Sequence, residues 1–248
     1  MRLVLHQLSY EQRTFWRSRE AAVFIFIFPL LLYALLGSLY SDEINGDPAV
    51  DILLAGLFGY GAANTAFAGL AIILVGRREL GILKRVRSTP LPSGTYLGAV
   101  LLSTLVVFAL QSIALLALGG LAFGASMPEN EVGFAGAVVL GCLCFAGIGV
   151  GAAALIRSAE GVSAVVNVAV LPMAFLSGSF GPTADYPSFL QAIADVLPLK
   201  YFLDIVHGVY LDGDSLFADP TALAVVGAWG AAGLAVALRW FSWVPRER

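Results

Sequence analysis

RRELGILKRVRSTPLP, residues 77–92, is a cationic island between two long apolar segments, and it holds five of the chain's fourteen Lys and Arg residues. Laid out as a helix, Ile82, Leu83 and Val86 fall within about 100° of one another with Glu79 beside them. Arg77, Arg78, Lys84 and Arg85 cluster opposite. The pattern predicts a short amphipathic helix over 77–88 on the wet side of a membrane, ended by the Thr89–Pro90 step and Pro92. A plain connector between spans needs only a few polar residues. Positive charge gathers in cytoplasmic loops whatever a protein does, so charge alone reports topology. The order of the residues must say the rest.

Around this island the chain is almost entirely apolar. Of its 248 residues 59% are hydrophobic and only 12% charged, with a mean hydropathy of +0.86. That excludes an ordinary soluble domain. The length suits about six spans of roughly 20 residues with short connections. They are expected at 21–40, 52–76, 96–123, 132–156, 162–180 and 221–240, with Pro29 placed to kink the first and Pro172 lying in the fifth. In segment 1–20, Val4, Leu5, Leu8 and Phe15 share a helix face with Trp16 at its edge. His6, Arg13 and Arg17 lie opposite, as in a helix resting on the inner membrane surface. The one long connection, 181–219, holds two apolar stretches too short to cross, which read as a helical hairpin on or in the outer leaflet. The whole is one transmembrane domain, an all-α integral membrane protein.

Thirteen of the fourteen basic residues lie in segments 1–20, 77–95, 157–161 and 239–248, and Lys200 is the exception. Acids run the other way: Asp42, Glu43, Asp47, Asp51, Glu129, Glu131 and six aspartates in 185–219. By the positive-inside rule both termini are cytoplasmic, and six spans satisfy that.

No energy source is written in the chain. A P-loop needs Gly-Lys-Ser/Thr to hold phosphates, and the two lysines, Lys84 and Lys200, stand outside any such motif. Coupling to an ion gradient usually places ionisable groups within the spans, and the expected spans contain none but Arg239, the next-to-last residue of the sixth. The only histidines are His6 and His207, so no metal centre and no nucleophile–His–acid set can be assembled at one depth. No catalytic residue, bound cofactor or metal is expected. Cys142 and Cys144 point about 200° apart on a helix and read as packing residues. Polar residues within spans serve first to join helices, but Asn64, Gln111 and Asn167 are costly in lipid and face protein or a substrate path. Cations lying against a membrane, with a pI near 5.3, leave nucleic-acid binding without support.

Arg-Glu-Leu-Gly-Ile-Leu-Lys-Arg-Val-Arg-Ser-Thr-Pro-Leu-Pro resembles the segment between the second and third spans of ABC-2 type permeases, the membrane subunits of ATP-driven exporters. Their pattern is close to (E)-R-E-x-G-T-L-K-R-L-R-x-T-P-L. Arg77 stands where an acid is frequent and Ile82 where Thr is frequent; Glu79, Gly81, Leu83, Lys84 and Arg85 keep the framework. A second anchor is LSGSFGPTADYP (176–187) followed by LPLKYFLDIVHGVY (197–210), which resembles the broken hairpin before the last span, with His207 where Arg is often found. The resemblance implies a coupling helix that docks on a separate ATPase subunit, which binds the ATP and Mg. Arg78, Glu79, Gly81, Leu83, Lys84 and Arg85 would form the ATPase-coupling contact, and Asn64, Gln111 and Asn167 a substrate pathway. It also implies a second permease subunit, identical or homologous, in the plasma membrane. The expected cargo is a small hydrophobic or amphipathic compound (a drug, an antibiotic of the daunorubicin-exporter type, or a lipid-like molecule). A gradient-driven secondary transporter and a non-transporting anchor or regulator of an ATPase are the alternatives.

Overall fold

A computed structural model describes residues 2–40, 43–44, 47–183 and 186–245. Among the described residues six helices are long and apolar enough to cross a membrane: Arg19–Leu39, Ala49–Glu79, Ser93–Phe123, Glu131–Leu155, Ala159–Leu176 and Pro220–Trp240. They are the first to sixth spans below. A helix over Arg2–Arg17 precedes them, and a short basic helix, Ile82–Arg87, joins the second to the third. Two more, Ser188–Ala194 and Pro198–Tyr210, separate the fifth from the sixth. Glu43–Ile44 and Asp47–Pro48 form a minimal antiparallel ribbon. Of the charges counted for orientation, Asp42, Asp185, Arg246 and Arg248 lie outside the described residues, as do the side chains of Arg2 and Glu43.

Each helix starts ahead of the apolar stretch that announces it and the second also runs past its end, whereas the fifth stops at Leu176, short of the expected 180. Consequently the spans do carry ionisable groups, at their ends: Asp51, Arg77, Arg78 and Glu79 belong to the second. Helix ends leave four NH or four CO groups unpaired, and local residues answer that need. Asn130 accepts from the Gly133 NH at 2.8 Å to cap the fourth span. Ser158 caps the fifth, and Asp219 with Pro220 opens the sixth. The chain stays helical through Pro29 and Pro172.

The second span is the core of the bundle. It is buried along nearly its whole length, and glycine is what lets its neighbours close on it. A Cβ on Gly149 of the fourth span would lie 2.7 Å from the Phe67 carbonyl oxygen. The fourth and sixth spans touch backbone to backbone: a Cβ on Gly147 would meet the Gly230 oxygen at 2.5 Å. Apolar helices gain little from burial against one another in lipid, so such close packing supplies the attraction. Helix Pro198–Tyr210 is also a core element. Leu199, Phe202, Leu203, Val206 and Val209 are buried, so this half of the expected hairpin is sunk into the bundle rather than laid on it.

The two ends of the bundle differ in chemistry. At one, the close of the second span, the close of the fourth, the Arg2–Arg17 helix and the final segment converge; Trp243 lies 6.2 Å from the Tyr96 ring. This is the basic end. At the other, Asp51 accepts from the Ser126 NH at 2.9 Å, and the Asn130 side-chain amide donates to the Asp214 carbonyl at 2.8 Å. This is the acidic end.

Candidate functional site

The basic segment is not one helix. The second span ends at Glu79, and Gly81, at φ +69°, occupies the left-handed region that favours glycine. Helix Ile82–Arg87 starts afresh on a new axis, so the continuous helix expected over 77–88 is broken where its only glycine stands. Ser88 and Thr89 close the new helix through hydroxyls that donate to the Lys84 and Val86 carbonyls.

Burial sorts the six predicted coupling residues into two sets, and Leu83, beyond the break, joins Arg78 in the buried one. Arg78 is fully buried. Its Nη1 donates to the Ala153 carbonyl at 2.8 Å and its Nη2 to the Ile156 carbonyl at 2.6 Å, and its Nε lies 3.5 Å from Glu79 Oε1. One guanidinium thus caps the C-terminal end of the fourth span, where carbonyls and helix dipole both favour a cation. Leu83 is also fully buried and belongs to the apolar core, against which Val86 and Leu91 pack as well. Lys84, Arg85 and Arg87 face outward together with Leu80, which is 70% exposed. Glu79, partly exposed, sits at the boundary between the two sets. Ile82, expected on the apolar face with Leu83, is exposed instead, because the restart at Gly81 turns it outward.

Beside Arg78, Arg77 is held by two partners. Its Nη2 meets Glu11 Oε2 at 2.5 Å and its Nη1 donates to the Tyr96 hydroxyl at 2.8 Å. Glu11 is only 4% exposed and also accepts from Gln7 at 2.8 Å. Gln12, an oddity in an apolar stripe, donates to Ser103 Oγ at 2.9 Å. The Arg2–Arg17 helix is therefore fastened to the second and third spans by polar bonds. Sequence reasoning passed over Glu11. Its signal was an acid on the same face as Leu8 and Phe15.

Farther from the basic end the second span widens into a π-helical stretch, Ala62–Gly69, a departure frequent at functional sites. There the Thr65 hydroxyl donates to Gln111 Oε1 at 2.8 Å. The amide nitrogens of Asn64 and Gln111 are buried and have no hydrogen-bond partner among the described residues. So Gln111 is brought to Thr65, next to Asn64. Asn167 is not part of this cluster: it bonds back to the Ser163 carbonyl at 2.8 Å on its own helix and is partly exposed.

At the acidic end a polar cavity of about 400 Å³ lies between Asp47, Lys200, Asp204, His207 and Asp212. Burial lowers the His207 pKa from its ordinary value, against the pull of Asp212 and Asp47. Burial raises that of Asp204, against the pull of Lys200. Lys200 pairs with Asp195.

A six-span helical bundle with a basic segment folded back onto it is a multi-pass membrane protein, and its relatives say of which kind. The sequence model of the ABC-2 type transporter family matches residues 3–211. The chain belongs to that family. YvfS of Bacillus subtilis (strain 168), named as a transport permease, is 22% identical over 204 residues, covering 82% of this chain and 83% of YvfS. YbhR of Escherichia coli (strain K12), named as a multidrug ABC transporter permease, is 27% identical over 139 residues. That stretch is 56% of this chain and 38% of YbhR. The protein is thus a membrane transporter subunit and not itself an enzyme, and ABC-2 permeases generally work with an ATP-binding subunit.

Proposed function

We propose that the chain is the permease subunit of an ATP-driven exporter, and that the outward set Leu80, Lys84, Arg85 and Arg87 forms the contact with a separate ATPase. The observation that carries this is the division at Gly81. Arg78 and Leu83 are anchored in the bundle, while the three cations of helix Ile82–Arg87, and Leu80 just ahead of Gly81, face outward. A push on that helix would pass through Arg78 to the fourth span and through Arg77 to the Arg2–Arg17 helix. Rigid elements with discrete arrangements are what such coupling requires. Glu79 is placed at the pivot. Both termini and the basic end would face the cytoplasm.

A second permease subunit, identical or homologous, would complete the pathway. The fifth span, which exposes Val165, Val168 and Phe175, offers an apolar face to that partner or to lipid. The aliphatic spans suit a hydrophobic or amphipathic cargo, and the Asn64–Thr65–Gln111 cluster is the polar feature of its path. YbhR's name, which says multidrug, supports the same cargo class.

The test is purification of the tagged chain from its native membrane, scoring copurified proteins, vanadate-sensitive ATP hydrolysis and efflux. The reading requires a partner bearing a Walker motif and efflux that stops when ATP is depleted. Efflux that persists on a proton or sodium gradient without ATP would replace it with secondary transport.

A further inference from the structure

Near the basic end an apolar cavity of about 290 Å³ opens between the Arg2–Arg17 helix and the first, second and third spans. Phe15, Ile25, Ile72, Val100 and Val107 supply much of its wall. A dry apolar cavity of about 150 Å³ holds one benzene, so this one has room for a planar body of two or three fused rings.

Its polar side chains are mostly hydrogen-bond acceptors. The hydroxyl protons of Thr14 and Thr104 are engaged on the carbonyls of Tyr10, at 2.9 Å, and Val100, at 3.1 Å. What those side chains still offer the cavity is oxygen lone pairs. The Glu11 carboxylate, itself almost wholly buried, can only accept. Arg77, the one cation of the wall among the described residues, has both terminal nitrogens occupied, by Glu11 and Tyr96.

Two glycines of the second span, Gly69 and Gly76, also line the space. Neither is demanded by close packing. A Cβ on Gly76 would meet nothing within 4 Å, and one on Gly69 would make only ordinary contacts, from 3.4 Å outward. At Gly147, Gly149 and Gly230 glycine admits a neighbouring backbone; at Gly69 and Gly76 it borders an empty volume.

We infer that this cavity binds an amphipathic amine, its ring system among the apolar side chains and its ammonium toward Glu11, Thr14 and Thr104. As a loading site for cargo it rests on the exporter reading; as a binding site it does not. The occupant enters from the surface of the bundle, to which the cavity is partly open.

The test uses the purified full chain in phosphatidylcholine nanodiscs, with empty discs as the baseline and fluorescence anisotropy as the readout. The probes are 9-aminoacridine, a cation at neutral pH, and anthracene-9-carboxylate, an anion on the same three-ring body. The inference predicts saturable binding of the cation at one site per chain, at least tenfold tighter than the anion. Gly76→Phe, which fills the space without a backbone clash, should weaken it at least tenfold, and Thr104→Val, which removes an acceptor and keeps the shape, severalfold. Binding no better than to empty discs, preference for the anion, or indifference to Gly76→Phe would overturn it. Since no ATPase is present, failure here leaves the exporter reading standing, and a chain that binds the amine but recruits no ATPase fails the other way.

Discussion

Arg78, at the end of the second span, donates to the Ala153 carbonyl at the end of the fourth at 2.8 Å, so one buried cation closes a helix 75 residues away along the chain. That bond joins the basic segment to the bundle mechanically. A hydrogen bond from a charged donor contributes about 1.5–3 kcal/mol, and carbonyls left buried without a donor add a further cost. Arg78→Ala is predicted to destabilise the protein by about 3 kcal/mol, read as a lower denaturation midpoint in detergent. Arg78→Lys should recover little, because a single ammonium cannot reproduce the planar fork that reaches Ala153 and Ile156 together. An unchanged midpoint in Arg78→Ala would remove the cap from the account.

The Gly147–Gly230 contact makes an equally sharp prediction. Gly147→Ala places a methyl 2.5 Å from the Gly230 oxygen, and Gly230→Ala places one 2.9 Å from the Cys144 Cα. Overpacking of this kind costs about 1–3 kcal/mol. Gly227→Ala, on the same helix with nothing within 4 Å, is the control and should be neutral. Equal thermal stability of all three variants would contradict the backbone-to-backbone packing.

Glu11 and Arg77 depend on each other. Removing one member of a buried pair costs about 3–5 kcal/mol, since the other charge is left uncompensated. Glu11→Gln should therefore loosen the Arg2–Arg17 helix and expose it to limited proteolysis. The exchange Glu11→Arg with Arg77→Glu should restore much of the protection. A cleavage pattern identical to the parent in Glu11→Gln would mean that apolar contacts alone hold that helix.

His207 predicts a pH dependence at the acidic end. Its folded-state pKa is depressed by burial below the ordinary 6.5, so the unfolded chain binds more protons in the window between the two values. Stability then rises with pH across that window: it is complete above about 6.5 and is lost as the pH falls toward the folded pKa. Denaturation midpoints measured from pH 7.5 down to 5 should drop for the parent protein, and less steeply for His207→Gln. Parallel profiles would assign the acid sensitivity to other groups.

Much of this architecture was legible in the sequence because lipid enforces it. Six apolar runs, short connections and the basic asymmetry follow from helix length and hydration cost, and the structure has the six helices. The starts shifted outward because helices begin ahead of the hydrocarbon-like stretch, and the second runs on until the left-handed Gly81 ends it, while the fifth closes early at Leu176. Arg78 was grouped with Lys84 and Arg85 because a helical wheel assumes one unbroken helix, and Gly81 breaks it. The meeting of Thr65 and Gln111 depends on which faces pack, and polar residues in a span do not announce their partners. Asn167 looked equivalent to Asn64 and Gln111 by type alone, and satisfied itself on its own helix. Glu11 was passed over and Asp51 was counted only among the outer acids, whereas both carboxylates are buried, each meeting a partner from elsewhere in the chain.

The central claim is that the outward set on Ile82–Arg87 and its flanks receives the ATPase while the inward set transmits the push. The most direct measurement compares two variants in the purified complex. Lys84→Glu with Arg85→Glu alters only exposed charges, and it should leave the denaturation midpoint unchanged while the ATPase is lost on copurification. Glu79→Arg, at the pivot, should retain membrane insertion and ATP hydrolysis yet lose transport. If the double charge reversal retains the ATPase at the parent's stoichiometry and transports normally, the basic segment is a topology signal and the coupling surface lies elsewhere.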